Sequence, residues 1–218
     1  MGLFISIFGP DGSGKSTHAR ILTEYFKNRG FKVKIVWIKS CHTLAYILSK
    51  IFTRLSPRSV TLNPEGGTII RINAINNGSI NHLIWSWIEF ISILPWIILR
   101  VYLPLLMGRV VIAERYLIDS IVSIAYSLND PNFTSSFIAK TMLCLIPRNS
   151  ILMHLDSDYE EIKRRRRNMA DPKEFIDFQR FMYGKLSKRL GAIEISTSRM
   201  SVEKTAERVR NSCLNLFQ

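Results

Sequence analysis

Residues Phe8–Thr17 read FGPDGSGKST. From Gly9 to Ser16 this run matches GxxxxGK[ST] at every fixed position. Each residue type has a physical reason. Glycines let the backbone curl until several N–H groups point inward at one anion. A helix starting there adds the positive end of its dipole. Lys15 brings a cation to the β- and γ-phosphates of a nucleoside triphosphate, and the Ser16 hydroxyl can ligate Mg²⁺. Thr17 stands where the α-phosphate would lie. The candidate triphosphate site is thus Gly9, Pro10, Asp11, Gly12, Ser13, Gly14, Lys15, Ser16 and Thr17, with ATP and Mg²⁺ as the implied ligands.

The flanks suit such a loop. Leu3–Phe8 is a short apolar run that predicts a buried strand. Helical spacing follows over Ser16–Asn28, with Ala19, Leu22, Tyr25 and Phe26 on one side and Gly30 as the stop. Phe31–Ile38 predicts a second strand. Strand, loop, helix, strand is the opening of a parallel α/β sheet. Arg109–Ala113, Ser150–Leu155 and Ala192–Ser196 predict further strands. Helical patterns cover Ile118–Ser127, Tyr159–Asn168, Pro172–Leu190 and Val202–Leu216. Arg58–Gly78, richer in Asn, Gly, Pro and Ser, reads as loop or short helices.

A chain of 218 residues without repeat or low-complexity linker suits a single domain, 1–218. With 47% hydrophobic residues it is not a disordered protein. Lys and Arg total 30 against 17 Asp and Glu, a net charge of +13, which favours anionic partners without choosing among them. Three widely spaced cysteines, Cys41, Cys144 and Cys213, point to reduced thiols in a cytoplasmic protein. His18, His42, His82 and His154 make no HExxH or HxH cluster and read as packing or surface residues. The opening MGLFISIFG lacks a basic segment, and its loose lipidation pattern yields to the strand reading.

His82–Gly108 is apolar enough to suggest a membrane span, but Glu89 and Arg100 interrupt it and Pro95 and Pro104 each remove a helix hydrogen bond. His82, Ser86, Glu89 and Arg100 fall near one helical face, the pattern of a long core helix with one stripe toward a cleft. Lys163–Asp171 reads KRRRRNMAD. On a helix these five cations spread around most of the circumference at about 100° each, so they cannot all meet one ligand.

Three stretches together resemble the thymidylate kinases: FGPDGSGKST, VVIAERYLIDS and LDSDYEEIKRRRRNMADP. The resemblance runs from Leu3 to about Glu203. It implies a three-layer P-loop kinase fold, with a parallel five-stranded sheet of order 2-3-1-4-5, helices on both faces and a short helical lid at about 163–173. It also implies transfer of the ATP γ-phosphoryl group to a nucleoside monophosphate, dTMP first, and a homodimer. Lys15, Arg115, Arg165 and Arg167 are the implied catalytic residues. Arg115 would grip the acceptor phosphate, Glu114 would act near Mg²⁺ or orient Arg115, and Asp11 would stand between loop and acceptor. The phosphate loop carries no arginine, so the lid would supply the catalytic one.

The acceptor side departs from the family. Where thymidylate kinases read close to TREPGGT, this chain reads WIKSCHT, leaving Lys39 as the nearest cation. The fragment NPEGGT at Asn63–Thr68 lies too late and reads as a turn. The family's Asp-Arg pair would fall near Ser92 and Ile93, and neither matches, so Glu89 is the substrate-side candidate on that helix. Three readings therefore stand beside dTMP kinase: a kinase for another small acceptor, a nucleic-acid-binding NTPase, and a nucleotide-binding interaction module. Nucleic acid lacks a supporting motif, and membrane association rests on Leu83–Met107 alone.

Overall fold

The computed structural model describes residues 2–38, 60–62, 70–72, 79–166, 171–198 and 200–214. Five parallel strands make the main sheet: β1 (Phe4–Phe8), β2 (Val33–Trp37), β5 (Val110–Arg115), β6 (Ile151–Asp156) and β7 (Ile193–Ser196). Their order is β2-β5-β1-β6-β7. Counted among themselves in chain order, they run 2-3-1-4-5, as expected. β1 is the central strand, and all five of its residues are buried. A strand covered on both faces has no solvent side, so four of its five residues are apolar.

Eight helices accompany the sheet among the described residues: α1 (Lys15–Lys27), α2 (Ser79–Ile97), α3 (Leu103–Leu106), α4 (Leu117–Ser127), α5 (Phe137–Cys144), α6 (Tyr159–Arg165), α7 (Lys173–Leu190) and α8 (Val202–Leu214). Side chains alternate across a strand, so each strand feeds two cores. Ile5, Ile7, Ile112 and Met153 pack with Ala19 and Leu22 of α1 and with Val209 and Cys213 of α8. Phe4, Phe8, Val111 and Ala113 face the other way, onto Ile93 of α2, Ile118 and Ile121 of α4, and Leu186 of α7. Each fully buried aliphatic side chain contributes about 1.5–3 kcal/mol, and the two layers together clamp the sheet.

The long apolar segment is helical but not uniform. Between α2 and α3 lies a π-helical turn, Ile98–Tyr102. It begins three residues after Pro95, which cannot donate to the helix ladder. A π turn takes more residues per revolution, so positions beyond it drift from the face they would share on a regular helix. This corrects the placement of Arg100. Ser86 and Glu89 are buried, whereas Arg100 is exposed, with its guanidinium 4.2 Å from the centre of the Trp96 ring. By length and composition Leu83–Leu106 could cross a membrane, and 44% of its apolar window is buried inside the protein. Trp85, Phe90, Ile93, Ile97, Val101 and Leu105 carry that buried side into the core.

Two elements differ from the sequence reading. Within Arg58–Gly78, read as loop or short helices, Val60–Leu62 (β3) and Ile70–Ile72 (β4) form an antiparallel pair. Their β-branched residues outweigh the turn-forming composition around them. Helix α5 was not anticipated. It starts because the Ser136 hydroxyl accepts the Ala139 N–H at 3.1 Å, an N-cap inside a stretch whose eight helical residues are too few to show a clear period. Cys144 and Cys213 are free thiols. Cys41, His42 and the fragment Asn63–Thr68 lie outside the described residues.

Candidate active site

The carboxyl ends of β1, β5 and β6 meet around the loop between β1 and α1. Gly9 has φ 144°, and a Cβ there would stand 2.0 Å from the Leu155 carbonyl oxygen of β6. Only glycine lets the loop pass this close to the neighbouring strand. Gly14, at φ 96°, precedes α1 and offers no side chain to cap it. The first turn of α1 also contains no acid. Its leading N–H groups are thus left for an external anion. The Ser16 and Thr17 side chains at this turn are exposed.

Lys15 is only 6% exposed. Its Nζ donates to the carbonyl oxygens of Gly9 at 2.7 Å and Pro10 at 2.8 Å, and lies 3.4 Å from Asp11 Oδ1. Burial pushes the Lys15 pKa below its ordinary value, with Asp11 opposing the shift. The same Asp11 oxygen is paired with Arg115 Nη2 from the end of β5. Burial works against the Arg115 charge as well, but Asp11, then Asp119 and Tyr183, more than offset it, and the pKa is raised. Two cations, one from the start of α1 and one from β5, therefore share one carboxylate.

A register shift aims Arg115. Val36 pairs with Ala113, but Trp37 pairs with Arg115, so Glu114 is the extra residue of a bulge. Bulges of this kind re-aim the following side chain. Glu114 is left half-buried at the strand's end. Just beyond, Asp119 caps α4: its Oδ2 accepts the Tyr116 N–H at 3.1 Å. Asp119 Oδ1 accepts the Tyr183 hydroxyl of α7 at 2.9 Å.

Helix α7 reaches the loop at two further points. Gln179 Oε1 accepts the Asp11 N–H at 3.4 Å. Arg180 forms a two-pronged pair with Asp156 at the end of β6, at 2.9 and 2.8 Å. Before α7 comes the basic segment. Arg164 and Arg165 both bond Glu161 at 2.8 Å. Arg165 also donates to Thr197 Oγ1 at 3.1 Å, to Thr197 O at 2.7 Å and to Gly12 O at 3.4 Å. Arg166 pairs with Asp171, and its aliphatic stem lies over Gly12: a Cβ on that glycine would come within 3.1 Å of Arg166 Cδ.

The structure thus brings together Asp11, Lys15 and Arg115, and sets Arg165 at the loop's rim. Glu89 is buried on α2, on the sheet face opposite α1. Lys39 and Arg167 lie outside the described residues. Asp119, Arg166, Gln179, Tyr183 and Thr197 join this cluster without a sequence motif to mark them. Gln179 and Tyr183 stand four apart on α7, a spacing that shares one helix face, and that is the signal available beforehand.

Across known proteins, two similarities stand out. The chain is 28% identical to a probable thymidylate kinase of Pyrococcus abyssi (strain GE5 / Orsay), over 94% of this chain and 93% of that protein. Its fold matches the crystal structure of thymidylate kinase from Ehrlichia chaffeensis with TM-score 0.59, at 15% identity, covering 98% of this chain and all of the other. This chain resembles the thymidylate kinases from end to end. No family model matches it. The thymidylate-kinase-like fold is the α/β P-loop architecture described above.

One substitution isolates the loop's backbone constraint. Gly9→Ala must relieve both a positive φ and a 2.0 Å contact with Leu155 O. We expect a loss of about 1–3 kcal/mol, read as a lower urea midpoint at unchanged slope. An unchanged midpoint would contradict the described loop path.

Proposed function

We propose that this chain is an ATP-dependent phosphotransferase, a cytoplasmic nucleoside monophosphate kinase that converts dTMP to dTDP, acting as one domain with a lid at about 163–173. One observation carries the reading. Lys15 from the phosphate loop and Arg115 from β5 converge on Asp11. A donor phosphate chain and an acceptor phosphate each need a fixed cation, and the two must sit side by side for in-line transfer. Whole-length similarity to the Pyrococcus abyssi protein supports dTMP as the acceptor.

The steps follow from the residues. First-turn amides of α1 receive the phosphates, and Lys15 exchanges its loop carbonyls for phosphate oxygens. Arg115 holds the acceptor phosphate, with the forked geometry that guanidinium offers an oxyanion. Asp11 keeps the two cations apart in direction while offsetting their charge. The bond between the γ-phosphorus and its bridging oxygen breaks, a bond to an acceptor phosphate oxygen forms, and ADP leaves. No covalent enzyme intermediate is needed; positioning and charge stabilisation suffice. Arg165 and Arg167 are proposed as the lid cations that act on the transferring group, with Arg166 beside them in sequence, and Lys39 and Glu89 are proposed as substrate-side residues.

Mg²⁺ fits this donor set. Among the described residues no cluster of three or more His, Cys, Asp or Glu could hold a metal alone. An exposed Ser16 hydroxyl and a half-buried Glu114 suit an ion that takes most of its ligands from phosphate and water. When bound, Mg²⁺ neutralises charge on the β- and γ-phosphate oxygens.

A homodimer is part of the proposal. Ile84, Ile91 and Ile98 repeat at intervals of seven and are all more than half exposed, with Leu83, Leu99 and Leu106 beside them. A second copy of the same helix would cover this stripe.

ADP release should be measured with ATP and Mg²⁺ across a panel of nucleoside monophosphates and sugars. dTMP should stimulate release most, and Lys15→Ala should lower it by at least about 10³-fold. Stimulation by a different acceptor would reassign the substrate, and none at all would leave a nucleotide-binding module. In sedimentation, the wild-type chain should run as a dimer and Ile91→Glu as a monomer; a monomeric wild type would contradict the dimer.

A further inference from the structure

Asp119 is 1% exposed, and its two carboxylate oxygens accept from Tyr116 and Tyr183 while it interacts with the charges of Lys15 and Arg115. A carboxylate buried this deeply is costly unless both oxygens find hydrogen-bond donors or a nearby cation. Its two oxygens join two parts of the fold. Oδ2 holds the Tyr116 amide directly after Arg115, fixing the turn from β5 into α4. Oδ1 holds the hydroxyl of Tyr183, itself 1% exposed, on the helix that follows the lid. The Tyr183 ring is wedged against Phe8 and His154, at 6.0 and 6.1 Å between ring centres, so it has little freedom to follow a moving partner.

We propose that Asp119 is a positioning residue, a buried carboxylate that locks the Arg115–Tyr116 corner to α7 and thereby sets the direction of the Arg115 guanidinium over Asp11. This rests on the phosphotransfer reading of the site and adds to it a residue that touches no substrate. The charged groups that act on Asp119 are Lys15 of α1 and Arg115 of β5; Tyr116, through its amide, and Tyr183, through its hydroxyl, are its bonding partners. Burial raises the Asp119 pKa, while Lys15, Arg115 and the two hydrogen bonds oppose that rise. The ionised form is the one whose two oxygens both accept. Loss of the Tyr183 hydroxyl removes a bond that favours that form, so the Asp119 pKa moves up in Tyr183→Phe.

Two readouts test this. In ¹⁵N-arginine-labelled protein, the Arg115 Nε–H group should be ordered in the wild type and markedly more mobile in Asp119→Asn, an isosteric change that keeps a carbonyl for the Tyr116 amide. Unaltered Arg115 order in that variant overturns the proposal, whatever the turnover. In kinetics, Asp119→Asn should lower kcat by about 10–100-fold while affinity for a non-hydrolysable ATP analogue stays within about threefold. Tyr183→Phe, which keeps the fold should Asp119→Asn lose it, should move the acid limb of kcat/KM to higher pH. An acid limb unmoved in Tyr183→Phe, or equal losses in kcat and ATP-analogue affinity, overturns it. A wild-type chain without acceptor-dependent turnover sinks the kinase reading alone, because the Arg115 order responds to Asp119 with or without turnover.

Discussion

The burial of the Lys15 ammonium is the constraint around which the rest of the site is arranged. An unpaired buried cation would cost several kcal/mol. Here the loop bends back so that Gly9 and Pro10 present their carbonyls, and Asp11 supplies the opposing charge. That bend is possible because Gly9 passes against Leu155 of β6 without a side chain. Asp11 in turn recruits Arg115. Lys15, Arg115 and Asp11 then make a compact group of two cations and one carboxylate, with the buried Asp119 carboxyl within electrostatic reach of both cations. In the proposed function, phosphate oxygens would take the place of these carbonyl and carboxylate partners of Lys15.

Sheet topology makes this arrangement reachable. Placing β1 between β5 and β6 brings the loop's lysine and the β5 arginine to one edge, and the bulge at Glu114 turns the arginine inward. Helix α7 then ties the parts together. Gln179 bonds the loop, Arg180 bonds the end of β6, and Tyr183 bonds Asp119 at the β5 corner. One helix thus contacts the loop, the end of β6 and the β5 corner. Arg165 and Arg166 rest against Gly12, so two cations of the basic segment stand near the loop.

Legibility in the sequence followed locality. The loop is readable because its chemistry lies in nine consecutive residues, the inner strands β1, β5 and β6 because buried strands leave dense apolar runs, and the edge strands β2 and β7 through short β-favouring stretches. Arg115 was readable only through its resemblance to a family motif. Asp119 and Tyr183 were not, since their meaning comes from a contact between residues 64 positions apart. Arg100 leaves the expected face for a local reason that periodicity cannot express: it lies within a π turn, where the 3.6-residue repeat breaks. The β3–β4 pair was missed because three-residue strands carry too little pattern to outweigh surrounding Asn, Gly and Pro.

A crystal structure with Mg²⁺ and a non-hydrolysable ATP analogue tests the central claim most directly. The account predicts a triphosphate lying along Gly9–Thr17, with Lys15 Nζ moved from the Gly9 and Pro10 carbonyls onto phosphate oxygens. A nucleotide bound elsewhere, with Lys15 still closed on its own loop, would contradict it.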